Sequence, residues 1–345
     1  MYINYMNEEN KNIYICYWLL LITLLVGVMI VVGGLTRLTD SGLSITKWDL
    51  ISGFIPPLNT RDWSEAFDLY KQIPEYKLLN STMTMSEFKT IYWWEYIHRL
   101  LGRIIGLSYL LPLLFFTYKK LIPKKSLFIF YFIFALIFFQ GFIGWYMVKS
   151  GLTERTDVSH YRLSLHLIIA FFIFILLFWN YLAFKSIKYS LFRKKLPSFL
   201  PIVFMLFLLI QITIGAFVSG LDAGNIYQTW PLMNDSFFPD DAELKNLFSI
   251  TVFDMPSMVQ FIHRNIAYLI FLLFIFIFIT IYKNNEVEHL RIDAFIILFI
   301  LICQILLGIF TLISGLNIVL ASLHQLGSVF LVGSTTILIF KNSKN

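Results

Sequence analysis

Eight apolar runs, each near the length a helix needs to cross a bilayer, make up most of this 345-residue chain. A crossing helix takes about 20 apolar residues, and it pairs its own backbone polar groups where no water can do so. The runs are Ile13–Thr36, Trp94–Tyr118, Leu127–Val148, Leu163–Phe184, Phe199–Gly220, Val259–Tyr282, Ile292–Ile313 and Val319–Phe340. Only Ser314-Gly315-Leu316-Asn317, read as a tight turn, parts the last two. With 58% hydrophobic and 14% charged residues, the chain is no soluble domain. The expected fold class is an all-α polytopic membrane protein.

Charge sets the orientation, because short cytoplasmic loops collect Lys and Arg. Lys119, Lys120, Lys124 and Lys125 follow the second run. Lys185, Lys188, Arg193, Lys194 and Lys195 follow the fourth, and Lys341 and Lys344 follow the eighth. Eight spans put all of these on the cytoplasmic side, with both termini. The long loops, about 37–93 and 221–258, then face outward, the second rich in Asp and Glu. The formal charge of +6 is thus a topology signal, and no nucleic-acid partner is implied. Cys16 and Cys303 lie in apolar runs and read as inert thiols. The N-terminal region shows neither a cleavable signal peptide nor a transit peptide.

The chain repeats itself. Gly33, Asp40, Gly42 and Trp48 match Gly215, Asp222, Gly224 and Trp230 at one constant offset. Glu95-Tyr96-Ile97-His98-Arg99 matches Gln260-Phe261-Ile262-His263-Arg264. Gln140 through Gly144 matches Gln304 through Gly308, each followed by Ser-Gly-Leu. Two pseudo-symmetric four-helix bundles are expected, residues 13–184 and 199–340. An even number of spans per half makes them parallel repeats about an axis along the membrane normal.

His98, His166, His263 and His324 each lie near the outer end of an even-numbered run. An ionisable side chain in a membrane helix marks a functional site by default. Two imidazoles facing each other across a bundle can hold a haem iron from both sides. Pairing His98 with His166 and His263 with His324 gives one such metal site per half. A lone histidine at this depth would more often be bonded to a backbone carbonyl, but four equivalent positions favour ligation. Zinc and copper lack the carboxylates or thiolates that would complete a closed site. His160, placed in an outer loop, and His289, in an inner one, are left outside the site.

Glu95 lies one turn before His98 on the same face, where the other half has Gln260. A carboxylate can move protons and an amide cannot; an acid at a helix N-terminus would also serve the helix dipole. Arg99 and Arg264 suit haem propionates or a snorkelling role at the headgroups, as do Arg37, Arg103 and Arg162. Gly33-Gly34 and Gly141/Gly144 let helices approach closely.

At these residues the chain resembles the haem A synthase family of cytochrome oxidase assembly factors. The likeness runs through Gly33-Gly34-Leu35-Thr36-Arg37-Leu38-Thr39-Asp40-Ser41-Gly42, Glu95 through Arg103, Gln140 through Gly144 and the two later histidine motifs. It implies that His98, His166, His263 and His324 are the haem-binding residues and Glu95 the catalytic one. It places haem O, the substrate, in the N-terminal half and haem b in the C-terminal half. The C8 methyl group of haem O would become the formyl group of haem A by successive hydroxylations and loss of water. Partners would be the lipid bilayer, an unidentified electron donor, and haem O synthase or oxidase assembly factors. The place would be a bacterial inner membrane, with the haem sites near the periplasmic side. One branch of the family has a cysteine pair in an outer loop; neither long loop here contains a cysteine. The long first loop, with Pro56-Pro57 and Trp93-Trp94, resembles the alphaproteobacterial and mitochondrial branch. A diheme, quinol-oxidising electron-transfer cytochrome shares the paired histidines and is the competing reading. A transporter would place charged or helix-breaking residues at the midplane; none is read there, and the polar residues cluster near one face.

Overall fold

The computed structural model describes residues 2–48, 52–153, 155–185 and 196–343, with side chains from residue 13 onward. Lys188, Arg193, Lys194, Lys195 and Lys344 lie outside the described residues. Ten α-helices follow in order: α1 (Tyr2–Leu38), α2 (Thr60–Tyr70), α3 (Pro74–Leu78), α4 (Met85–Tyr118), α5 (Lys124–Gly151), α6 (His160–Lys185), α7 (Phe199–Gly220), α8 (Pro256–Lys283), α9 (Arg291–Ile313) and α10 (Ile318–Ser343). Among the described residues there is no β-strand, and eight helices, all but α2 and α3, are long and apolar enough to cross a membrane. The protein is a multi-pass membrane protein.

Two apolar cores hold the helices. One joins Leu19 and Ile22 of α1, Tyr109 of α4, Phe130 of α5 and Phe171 of α6. The other joins Phe204 of α7, Phe274 of α8, Ile297 of α9 and Leu331 of α10. Helices α1, α6, α7 and α10 meet at the centre, while α4, α5, α8 and α9 lie outside them. Burial follows: 44% of the apolar window of α10 is buried, against 11% for α9. The outer helices give the rest of their surface to lipid.

Local chemistry accounts for the breaks and bends. Pro112 lacks an N–H, so it leaves the carbonyl of Ser108 without its helical donor; the Trp18 indole of α1 donates to that carbonyl at 3.0 Å. The turn at 314–317 is as expected: Gly315 and Leu316 take positive φ (71° and 63°) and Asn317 caps the amide of Val319 at 3.0 Å. At the far end of the same hairpin, Lys341 meets Asp293 at 2.9 Å.

The first outer loop departs from expectation. It holds α2 and α3, and α4 begins at Met85 rather than near Trp94. Thr84 and Glu87 form a capping box there, which fixes a helix start in polar sequence that hydropathy passes over. Trp63 and Phe67 of α2 pack on Tyr92 and Phe88 of α4, with ring centroids at 5.0 and 4.8 Å. The Tyr96 hydroxyl donates to the carbonyl of Phe54 at 2.7 Å. The result is an aromatic cap over the N-terminal end of α4 and the C-terminal end of α5. His160 also differs from its expected loop position, since it opens α6 and is buried against Phe217 of α7.

Glu75 of α3 is buried inside the cap. It accepts from the Tyr70 hydroxyl at 3.2 Å and from Asn80 at 3.3 Å. Burial pushes its carboxyl up to about 8 from the ordinary 4.5; the Tyr70 bond pulls it down, and Asp40, Asp157 and Glu95 add repulsion. Because the folded value lies above the unfolded one, the neutral form stabilises the cap fully below pH 4.5. That contribution is lost as pH rises through about 8. Hydrogen exchange over residues 60–80 should therefore quicken between pH 6 and pH 9, and Glu75→Gln should flatten the change. Equal pH dependence in both proteins would contradict the assignment.

Candidate functional site

The four histidines stand on α4, α6, α8 and α10, and each ring lies against a glycine of the membrane helix before it. A Cβ on Gly33 would stand 2.9 Å from the Cε1 of His98. On Gly144 it would be 3.1 Å from that of His166, on Gly215 3.1 Å from His263, and on Gly308 3.0 Å from His324. A side chain at Gly33 would force the His98 ring to shift, and one at the other three would press the ring out of its present place by a few tenths of an ångström. Each imidazole is thereby wedged edge-on between two helices, and all four remain half-buried.

His98 and His166 face each other, ring centroids 6.4 Å apart and planes at 44°. Metal ions bond imidazole nitrogen at about 2.0–2.1 Å, so two rings sharing one ion stand with centroids about 6 Å apart. The separation fits. Among the described residues no group of three or more His, Cys, Asp or Glu could hold a metal ion. A pair of imidazoles supplies two axial positions and no more, which suits an iron whose other positions a porphyrin fills. The donor set of His98 and His166 therefore fits haem.

A ligating histidine needs its other nitrogen tied, which fixes the tautomer and frees Nε2. The Nδ1 of His324 lies 3.0 Å from the carbonyl of Gln304. The Nδ1 atoms of His98, His166 and His263 are buried against the preceding helix without a hydrogen-bond partner. A second brace is a glutamine four residues before the glycine. Gln140 donates to the His166 carbonyl at 2.8 Å, Gln304 to that of His324 at 2.6 Å, and Gln211 to that of His263 at 3.0 Å. The Gln211 amide nitrogen also lies 3.3 Å from the Nε2 of His263, the atom an iron would take. In α1 the same position is Met29, which lies across Gly102, one turn beyond His98.

One turn before the histidines, each half clamps the loop that follows its first helix. The Glu95 carboxylate accepts from the Ser44 hydroxyl and the Ile45 amide, both at 2.7 Å, and from Arg99 at 2.5 Å. Arg99 also donates to the Ile45 carbonyl at 2.8 Å and lies over Trp48. In the other half Gln260 donates to the Tyr227 carbonyl at 2.8 Å, and Arg264 to the same carbonyl at 3.2 Å. Glu95 is 2% exposed, so its charge is met by Arg99 and two neutral donors rather than by water. Lys149 and Trp145 of α5 close a cavity of about 190 Å³ on the far side of Arg99. Arg37 pairs with Asp40 at 2.6 Å and with Asp222 at 2.8 Å, tying the ends of α1 and α7. Arg162 donates to the Tyr146 carbonyl at 2.7 Å.

The structure thus brings His98 and His166 together, with Glu95 and Arg99 anchoring the neighbouring loop. His160, 3.3 Å from Asp254, and His289, between α8 and α9, stand apart from this arrangement. Sequence reasoning missed Gln211 and the partnership of each glycine with a histidine. The legible signal was a Gln-x-x-x-Gly spacing in three helices, matched by Met-x-x-x-Gly in the first.

The chain matches the family COX15-CtaA, cytochrome oxidase assembly protein, over residues 16–336. It is 48% identical to a heme A synthase of Pelagibacter ubique over 342 residues, 98% of this chain and 99% of that one. Heme A synthases of Sinorhizobium fredii and Rickettsia felis are each 42% identical. Those matches cover 92% and 91% of this chain, and 86% and 94% of the relatives.

The glycine seats can be tested separately from the ligands. The expectation of one haem per histidine pair predicts that Gly215→Val or Gly308→Val would each lower the haem retained per purified chain to about half, and that the double variant would lose no more. Haem extraction and chromatography give the count. Full retention in both single variants would show that the seats do not position ligands.

Proposed function

This chain belongs to the cytochrome oxidase assembly protein family, and from that premise we propose that it is a haem A synthase, an oxidoreductase that converts the C8 methyl group of haem O to the formyl group of haem A. The observation that carries the reading is the facing pair His98 and His166 on their glycine seats. It is supported by a full-length likeness to heme A synthases.

The two halves, residues 13–184 and 199–340, are pseudo-symmetric. Each has the same helix neighbours, the same glycine seats and the same loop clamp. The first holds the substrate haem O through His98 and His166. The second, with His263 and His324, holds haem b, which when bound supplies electron transfer. Both termini face the cytoplasm of a bacterial inner membrane. Lys119, Lys120, Lys124 and Lys125, at the turn between α4 and α5, support that side, and the cap and the haem sites then lie toward the periplasm.

The chain's own residues have three tasks. His98 and His166 fix the substrate's iron and so its orientation. The cap and the loop 41–48 cover the outer end and limit water. Glu95 manages protons. Each of the two hydroxylations, with dioxygen as oxidant, takes two electrons and two protons and releases one water; the geminal diol then loses water to give the formyl group. A donor outside the chain supplies the electrons, and the protons need a group that can carry them. Oε2 of Glu95, bonded to the Ser44 hydroxyl, can hold one and hand it inward. Gln260 cannot, which assigns chemistry to the first half and relay to the second. A haem O-making reaction must supply the substrate, and oxidase assembly must consume the product.

Expressed in cells that make haem O, the purified chain should yield haem A or its hydroxylated precursor on extraction. Glu95→Gln keeps the acceptor oxygen for the loop but not the titration, and should cut haem A by about 100-fold or more while haem O stays bound. An unchanged yield would remove Glu95 from the mechanism. Two haems b per chain and no haem O or haem A would instead support the electron-transfer cytochrome.

A further inference from the structure

Three of the four histidines are braced from the facing helix by a glutamine, and one is not. Gln140 holds His166, Gln211 holds His263 and Gln304 holds His324, each through its amide on the histidine carbonyl. The position that would brace His98 is Met29, which has no donor to offer and whose methyl lies over Gly102. A thioether on an unbranched chain is soft and moves easily. Where a glutamine amide ties the histidine backbone of the other three to the facing helix, Met29 leaves the neighbourhood of His98 deformable. The exception falls in the half that also carries Glu95.

Resting on the haem O reading above, we propose that His98 is the exchangeable ligand of that site. Its Nε2 leaves the substrate's iron, keeping its bonding electron pair, and opens one position to a small ligand such as dioxygen. His166, braced by Gln140, stays bound. Both histidines of the second half are braced, so that iron stays closed on both faces and is confined to electron transfer. Met29 is a positioning residue in this scheme: it acts through the freedom it gives His98.

The test reads ligand exchange at the iron rather than turnover. Wild-type protein, Met29→Gln, Met29→Leu and Gln140→Met are purified from cells that make haem O, reduced, and titrated with carbon monoxide, which binds only an iron with an open position. In the wild type, one haem of the two should react. Met29→Gln restores the missing amide and should weaken carbon monoxide binding about fivefold, the factor one net hydrogen bond carries. Met29→Leu adds no donor and should bind as the wild type does. Gln140→Met frees the second histidine and should strengthen binding by a similar factor. Equal binding in Met29→Gln and wild type, with haem O still present, overturns the exchange role and leaves the haem assignment standing. Equal weakening in the Gln and Leu variants assigns the effect to packing and also overturns it. Full haem content in a His98→Ala/His166→Ala double variant overturns the assignment itself, and the inference with it.

Discussion

The outer end of this molecule depends on one contact made four times, an imidazole edge lying on the bare backbone of a glycine. A histidine on a membrane helix is costly unless its polar atoms are used, and a ligand that wanders holds iron poorly. Removing the Cβ at Gly33, Gly144, Gly215 and Gly308 lets each ring enter the gap between two helices. The backbone approach that the glycines permit is therefore aimed at a side chain as much as at a neighbouring helix. The helix pairs α1–α4, α5–α6, α7–α8 and α9–α10 each present one such seat. Placing four equivalent seats at one depth accounts for the parallel arrangement of the spans that carry them.

The seats hold only if the helix ends above them stay in place, and the loop clamps do that work. Arg99 and Arg264 both bind the carbonyl at the equivalent point of the preceding loop, Ile45 or Tyr227. Arg37 then joins Asp40 to Asp222, so the two loops are fixed to each other as well. Both aspartates sit at positive φ, 47° and 50°, a conformation Asp tolerates better than most residues. Arg37, Arg99 and Arg264 are thus already committed to the protein's own loops.

Much of this was legible in the sequence. Apolar runs of spanning length give eight helices because the bilayer permits little else, and the break at 314–317 showed itself in Gly315 and Asn317 despite the lack of any charge. The repeat exposed the histidine pairs and the Glu95/Gln260 difference. The cap was not legible: α2 draws its stability from Trp63 and Phe67 meeting Phe88 and Tyr92, a tertiary contact between segments that are each too polar to register as spans. The same blindness set the start of α4 too late. The glycine seats escaped because spacing along one helix says that a face is small, and only the packed structure says what fills the space.

The two departures from the repeat fall in the same half, and that coincidence has a physical logic. An electron-transferring iron works best when its ligands do not move, since each reorganisation adds to the barrier. In the proposed division of roles, a frame with a glutamine behind every histidine and an amide at the loop clamp would serve that purpose in residues 199–340. Oxidising a methyl group asks for the opposite: one ligand free to move, and one group able to move protons. Replacing an amide by a thioether at Met29 and by a carboxylate at Glu95 meets both demands without disturbing a single seat. Division of labour between the halves then needs no new fold, only the loss of two amides from one of them.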